Sequence, residues 1–129
     1  MGRRLCLNGC EMTFYDKISD TNITLFYDLP ETEDRIKYQN EQVVREGNKI
    51  KSVLGETRQK YGLKILTGFK KGNFENAAGQ PISSDKNDKE YDPNWKKLIT
   101  DNASDIIEML AVTVFEVPLT RMAKAENPT

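Results

Sequence analysis

The sequence predicts an α+β domain that is mainly α-helical, with an N-terminal β-hairpin, about four helices and a long loop before the C-terminal helix pair. Three observations support this fold class. Short runs of aromatic and β-branched residues stand near the N-terminus. Apolar residues then recur at three- and four-residue spacings. A stretch rich in Gly, Pro, Asn, Asp and Ser separates the last two helical patterns from the earlier ones.

Residues 12–16 and 22–28 are predicted to form the hairpin. Their aromatic and β-branched side chains are typical of strands. Residues 16–21 between them are rich in turn-forming residues. Because two strands alone are only marginally stable in water, we expect the pair to pack on helices or on a strand of a partner.

Two helices are predicted to follow the hairpin. The first spans residues 32–46, begins with a capping threonine and two acidic residues, and ends at the stop signal Gly47-Asn48. The second begins at residue 48 or 49 and reaches residue 69, because its apolar residues recur on one helical face. Gly55 and Gly62 lie inside this pattern and indicate close packing or a bend.

Residues 70–92 are predicted to form the long loop, because glycine, proline, asparagine, aspartate and serine recur through them. Phe74 and Ile82 are the apolar residues that would anchor this loop. A loop of this length is unusual in a compact domain, so we expect it to be either functional or mobile.

Two C-terminal helices are predicted after the loop. Asp92 suits the N-cap of the first helix, and Pro93 suits its first helical position. Asn102 is the predicted cap of the second helix, whose aliphatic residues form the strongest helical pattern in the chain. Pro118 is expected to end that helix.

The chain of 129 residues is expected to fold as one globular domain over residues 12–117. Residues 1–11 are expected to be a disordered leader or a spurious extension from a misassigned start codon, because the strand pattern begins beside Met12. Residues 118–129 are expected to form a flexible tail.

The composition argues against the common kinds of enzyme. The chain has no histidine, which removes the commonest metal ligand and the commonest general base near neutral pH. Its two cysteines, Cys6 and Cys10, lack the further ligands of a zinc site. Gly68 is not followed by the Lys-Ser or Lys-Thr of a phosphate loop. A calcium loop starting at Asp85 would have Glu90 where glycine is required. We therefore expect no catalysis, no cofactor and no bound metal.

The overall charge and hydropathy argue against two classes of partner, nucleic acids and membranes. The net charge is -1, which argues against a strong global attraction to nucleic acid or to membranes. The chain contains no secretory signal and no apolar run of about 18 residues, the length that a spanning helix needs. We therefore expect a cytoplasmic protein that has no membrane partner.

Charge is unevenly distributed along the chain. Residues 49–71 contain seven lysines or arginines and one glutamate, whereas residues 101–116 contain four acidic and no basic residues. The two segments are either solvated faces that attract each other, within the fold or between copies, or the first is a basic stripe for nucleic acid. Nucleic-acid binding is the weaker interpretation, because the aromatic residues of this segment belong to its apolar face. The candidate basic stripe consists of Lys49, Arg58, Lys60, Lys64, Lys70 and Lys71.

The apolar face of the C-terminal helices also has two interpretations. It is either part of the hydrophobic core, which we favour, or an interface with a partner or a second copy, because it is wide for so short a helix. The candidate interface residues are Trp95, Ile106, Leu110, Val114 and Phe115.

Several segments resemble a family of phage and prophage proteins that are encoded among tail genes. The segments are residues 27–38 (YDLPETEDRIKY), 56–69 (ETRQKYGLKILTGF), 81–85 (PISSD) and 92–116, which begins DPNWKKL and ends VFE. The last run combines a Trp-Lys helix, an Asp-containing cap and an aliphatic helix that ends in Phe-Glu. The general layout extends over residues 13–116, and the nearest functional class is the tail assembly chaperones of long-tailed phages.

This resemblance implies a function without catalytic residues. Such a chaperone binds an aggregation-prone tail protein, for example the tape-measure protein, and keeps it soluble until the tail tube polymerises. This task needs apolar grooves between amphipathic helices and a polar outer surface. The implied location is the cytoplasm of a bacterial host, or the virion, and a homo-oligomer is compatible with it. A minor structural protein of the tail, neck or capsid fits the same sequence almost as well.

Overall fold

The computed structural model describes residues 2–121 and residue 123. In chain order the elements are β1 (Cys10–Asp16), β2 (Thr21–Tyr27), α1 (Thr32–Asn40), β3 (Val43–Glu46), β4 (Lys49–Ser52), α2 (Leu54–Ile65), β5 (Leu66–Phe69), α3 (Trp95–Asn102), α4 (Ser104–Ala111) and a π-helical turn (Val112–Glu116). The proportions, 35% helix and 25% strand, are consistent with the α+β class and do not confirm a mainly helical fold.

A three-stranded antiparallel sheet with the order β1-β2-β5 contains the predicted N-terminal hairpin. β1 and β2 pair along their whole length in a continuous register, which confirms this hairpin. β5 is a correction, because the sequence analysis assigned residues 66–69 to the end of the second helix. Pairing with β2 buries Leu66 and Phe69 in the core, so tertiary pairing outweighs the local helical spacing.

A second hairpin, β3–β4, is also a correction, because the predicted helices covered residues 32–46 and continued from residue 48 or 49. Its two strands are joined by the two-residue turn Gly47-Asn48. Gly47 has a φ of 59°, whereas Asn48 has a negative φ. A positive φ at the first of two turn residues is typical of a type II′ turn, which matches the twist of the flanking strands.

The hydrophobic core is formed by β2, β5, α2, α3 and α4, together with Ile82 of the long loop. Ile107 and Leu110 of α4 have no exposed surface, so the predicted aliphatic face is confirmed as core. α2 crosses α4 at Gly62. A Cβ atom there would lie 2.7 Å from the carbonyl oxygen of Ile107, so this approach requires glycine.

The predicted long loop is present between β5 and α3, and it is anchored to the domain. Ile82 is buried, and Phe74 is partly buried against the core, so both predicted anchors are confirmed. The ring of Phe74 also contacts the ring of Phe69 edge-on, with centroids 4.8 Å apart. Two isolated β-bridges give the loop further regular structure.

The two C-terminal helices begin differently from the prediction. α3 starts at Trp95, two residues after Pro93, although the Asp92 carboxylate accepts the Asn94 N–H as the predicted cap would. The predicted cap of α4, Asn102, is instead the last residue of α3. Its amide N–H donates to the Leu98 carbonyl, and the residue that directly precedes α4 is Ala103, which has no capping side chain.

The first and last secondary-structure elements lie close to the predicted domain boundaries at residues 12 and 117. β1 begins at Cys10, and the Leu7 carbonyl accepts a hydrogen bond from the Leu29 N–H. Part of the predicted leader therefore packs on the domain. At the other end, the predicted tail begins two residues after the π-helical turn, and residues 122 and 124–129 of that tail lie outside the described residues.

Candidate functional site

The predicted interface on the C-terminal helices lies inside the domain. Its buried members are Trp95, Ile106, Leu110 and Val114. Phe115 is partly buried and stacks on Tyr38, with ring centroids 4.4 Å apart. This placement corrects the interface interpretation, because the helical face is wide in order to pack against α2 and the sheet. In the folded domain four of the five side chains belong to the core, and Phe115 remains partly exposed.

Most of the predicted basic stripe is paired with carboxylates of the same domain. Arg58 contacts Glu108 and Glu116, each at 2.8 Å, and thereby joins α2 to the acidic C-terminal helix. The other pairs are Lys60–Glu41, Lys64–Asp34 and Lys71–Asp88. Lys49 and Lys70 take no part in the ion pairs of the described residues. Because most of these charges are balanced locally, the segment offers less positive potential to a nucleic acid than its sequence implies.

A cluster of aromatic and charged side chains joins α1, α2 and the π-helical turn. The rings of Tyr38, Tyr61 and Phe115 contact one another. The Tyr38 hydroxyl donates to the Glu116 carboxylate, which also accepts two hydrogen bonds from Arg58. These contacts hold the π-helical turn against α1 and α2. The role of the cluster is therefore structural.

The cluster shifts the pKa values of its members. Burial and the hydrogen bond to Glu116 raise the pKa of Tyr38 to about 12. Burial and the hydrogen bond to Glu41 raise the pKa of Tyr61 to about 12. The hydrogen bonds from Arg58 lower the pKa of Glu116. The folded protein therefore favours neutral tyrosines beside ionised carboxylates.

Alkaline titration is expected to reveal two tyrosines that ionise well above the ordinary tyrosine pKa of about 10. The chain has five tyrosines, and Tyr38 and Tyr61 should titrate near pH 12. Because their folded pKa values exceed the unfolded value of about 10, their contribution to stability is present below about pH 10 and is lost toward pH 12. Phenolate absorbance measures the titration, and Tyr38→Phe or Tyr61→Phe should each remove one late step. Ionisation of all five tyrosines near pH 10 in the folded protein would contradict this assignment.

The acidic side chains of the long loop are engaged in local turns. Asp85 accepts a hydrogen bond from the Asn87 N–H, and Asp88 accepts one from the Glu90 N–H. Among the described residues, no group of three or more Cys, Asp or Glu side chains is placed to hold a metal ion. Gly68 lies within β5 rather than in a loop that precedes a helix, so it is not placed as in a phosphate loop.

An apolar groove crosses the junction of α3 and α4 and reaches the turn between β1 and β2. Two adjacent cavities of about 310 and 470 Å³ form it, and they share Phe74, Glu75, Asn102 and Ala103. The remaining apolar lining consists of the accessible residues Ile18, Ala77 and Leu98 and, beneath them, the buried core residues Ile23, Ile82, Ile99 and Ile106. We call this feature, with its carboxylates Asp16, Glu75 and Asp105, the acidic groove.

The rim of the acidic groove carries one sign of charge. Its carboxylates are Asp16, Glu75 and Asp105, and no lysine or arginine is among the described residues that line either cavity. Hydrogen bonds from the Ser19 hydroxyl and from nearby backbone N–H groups lower the pKa of Asp16, so it is ionised at neutral pH. Ile18 at the edge is 91% exposed. The groove thus combines an apolar floor with a negative rim.

The β3–β4 hairpin is the second prominent surface feature. All eight of its strand residues are exposed. Three of them are aliphatic, and the most exposed is Ile50, at 75%. Its charged residues are Arg45, Glu46, Lys49 and Lys51, which leave the hairpin with a net positive charge.

Neither surface was predicted from the sequence. The hairpin could have been predicted, because Gly47-Asn48 between two short runs with β-branched residues is typical of a two-residue hairpin turn. The acidic groove had none, because its lining comes from three segments, around residues 16–23, 72–82 and 98–106, that only the tertiary fold brings together.

Comparisons with protein-family models, with curated proteins and with solved structures found no match. Within residues 2–121 and 123, no helix is long and apolar enough to cross a membrane.

Proposed function

We propose that this protein is a phage tail assembly chaperone, which binds helical segments of an aggregation-prone tail protein without catalysis. The acidic groove is the observation that supports this function best. Its aliphatic floor suits the apolar face of an amphipathic helix, a common mode of recognition in which side chains one turn apart enter the same groove. The proposed partner is the tape-measure protein.

The charge of the groove specifies the segments that it would select. Carboxylates at Asp16, Glu75 and Asp105 surround apolar side chains, so a bound helix would place lysines or arginines beside its apolar stripe. A helix with acidic flanks would meet repulsion at the same rim. Because Glu75 and Asp105 of the rim are exposed, their charges would contribute to selectivity and association rate more than to affinity.

Co-expression with the tape-measure protein of the same gene cluster tests this function. The wild-type protein is expected to raise the soluble fraction of the tape-measure protein and to co-purify with it. The double variant Ile18→Lys/Asp105→Lys is expected to lose both effects, because it puts positive charge at an exposed edge of the groove. A loss of about tenfold in affinity corresponds to about 1.4 kcal/mol, which a few lost contacts supply.

The matched control is Ile36→Lys/Glu11→Lys, which makes the same Ile→Lys change and the same change of charge at exposed positions outside the groove lining. It should behave like the wild-type protein. Equal solubility of the tape-measure protein with and without the wild-type protein would refute the chaperone function. Equal loss in both double variants would refute the assignment of the groove.

A structural component of the tail, neck or capsid is the second candidate function. The exposed β3–β4 hairpin favours it, because such a hairpin can form one half of the head-to-tail contact between copies that builds rings and filaments. Purified virions distinguish the two functions. A structural component stays in the particle in many copies, whereas a chaperone is released once the tail is complete.

A further inference from the structure

The β3–β4 hairpin has too little packing of its own to account for its order. All eight strand residues are exposed, and its strands pair only with each other. A two-stranded hairpin of this kind is marginally stable in water unless something covers one of its faces. The hairpin is therefore suited to contact another surface.

The register of the hairpin shows which chemistry each face presents. Val43, Arg45 and Ile50 share one face, because Arg45 pairs with Ile50 and Val43 lies two residues from Arg45. The opposite face carries the cross-strand pairs Val44–Lys51 and Glu46–Lys49. Each face thus combines aliphatic and cationic side chains. None of the cations of this hairpin takes part in the ion pairs of the described residues.

The acidic groove has the complementary chemistry. Its floor is aliphatic, and its charged lining consists of Asp16, Glu75 and Asp105. No residue of the β3–β4 hairpin lines either cavity. The chain therefore carries an apolar and cationic protrusion together with an apolar and anionic groove, and the two are built from different residues.

We infer that the β3–β4 hairpin of one copy docks in the acidic groove of a second copy. This inference deepens the proposed function and rests on it in one respect, since it treats the groove as a protein-binding site. Val43 and Ile50 enter the groove, while Arg45, which shares their face of the hairpin, lies beside the carboxylates of the rim. The contact is head-to-tail, because each copy uses one surface to bind and the other to be bound.

This contact would regulate the acidic groove. An occupied groove is shielded from solvent and from other chains until a helix of the tail protein displaces the hairpin. The interface is small and its rim is charged, so the association is weak and sensitive to salt. Raising the ionic strength from about 0.1 to 1 M shortens the Debye length from about 10 to 3 Å and should weaken it.

Two variants, analysed alone and mixed, test this inference. The hairpin variant is Val43→Asp/Ile50→Asp, and the groove variant is Ile18→Lys/Asp105→Lys; all four positions are exposed, so both should fold. In sedimentation equilibrium, the mass of the wild-type protein should rise above the 14.8 kDa monomer as its concentration approaches about 1 mM. Each variant alone should remain a monomer.

An equimolar mixture of the two variants should form a heterodimer and no larger species. The intact hairpin of the groove variant binds the intact groove of the hairpin variant, which gives a species of twice the monomer mass and no larger species. The control Ile36→Asp, at an exposed position of α1, should associate like the wild-type protein.

Three results would overturn the inference. They are a wild-type protein that stays monomeric up to about 1 mM, a variant that still associates alone, and a mixture that forms no heterodimer. No tail protein is present in this experiment, so it succeeds or fails independently of the chaperone function. A heterodimer together with no effect on the tape-measure protein would refute the proposed function and leave the docking intact.

Discussion

Replacing Leu110 by alanine is expected to lower the free energy of unfolding by about 3 kcal/mol, because it leaves a cavity in a closely packed core. Leu110 has no exposed surface and belongs to the main hydrophobic cluster. Chemical denaturation with circular dichroism measures the change. A loss of this size is a large part of the total stability of a domain of this length.

The same substitution at Leu5 is the matched control, because this residue is 96% exposed. Leu5→Ala should change the free energy of unfolding by less than about 0.5 kcal/mol. A large loss of stability for Leu110→Ala and a negligible one for Leu5→Ala would show that Leu110 is a core residue rather than an interface residue. If Leu110→Ala left stability unchanged and weakened only the binding of a partner, the assignment of this face to the core would be wrong.

Replacing Gly62 by alanine is expected to have the second large effect. The new Cβ atom would lie 2.7 Å from both the carbonyl oxygen and the Cγ2 atom of Ile107. Because one of these atoms is backbone, α2 and α4 must move apart, at a cost of about 3 kcal/mol. Alanine regains about 1 kcal/mol of helix propensity, so the net loss of stability is about 2 kcal/mol.

Gly55 provides a matched control on the same helix. A Cβ atom at Gly55 meets nothing within 4 Å, so Gly55→Ala should raise the free energy of unfolding by up to about 1 kcal/mol. The two alanine variants should therefore differ by about 3 kcal/mol in opposite directions. Equal stability of the two variants would show that α2 and α4 do not approach each other at Gly62.

The cluster of Tyr38, Tyr61 and Phe115 with Arg58 and Glu116 lies in a different part of the domain from the acidic groove. The cluster holds the π-helical turn against α1 and α2 through Tyr38, Arg58 and Glu116. The groove lies at the other end of the C-terminal helix pair, around Ala103. Variants at exposed groove positions should therefore change binding while the cluster and the stability of the fold remain intact.

Local patterns in the chain were sufficient to predict several elements. The first hairpin, the loop with its anchors Phe74 and Ile82, and the aliphatic face of α4 are confirmed. In each case the periodicity of apolar residues or the turn chemistry operates over neighbouring positions. The α+β class was predictable for the same reason, because it depends only on which periods occur along the chain.

The errors occurred where local patterns were ambiguous. The predicted helices ran through β3, β4 and β5, because short apolar segments fit helix and strand periods almost equally well. β5 is a strand because β2 provides hydrogen-bond partners for it, from Leu25↔Phe69 onward. The signal of Gly47-Asn48 was present, but it also resembles a helix stop, and only the backbone conformation distinguishes the two.

The sequence by itself therefore determined the class of fold, the buried aliphatic helix and the lack of histidine chemistry, because these depend on residue identity and local spacing. Only the tertiary structure decided which charged side chains pair with each other and which side chains form a groove at the surface. It paired Arg58 with Glu108 and Glu116, and it gathered distant carboxylates around one apolar groove. The physical reason is that the energy of a charge or an apolar side chain depends on its neighbours in space, and folding brings together residues that are far apart along the chain.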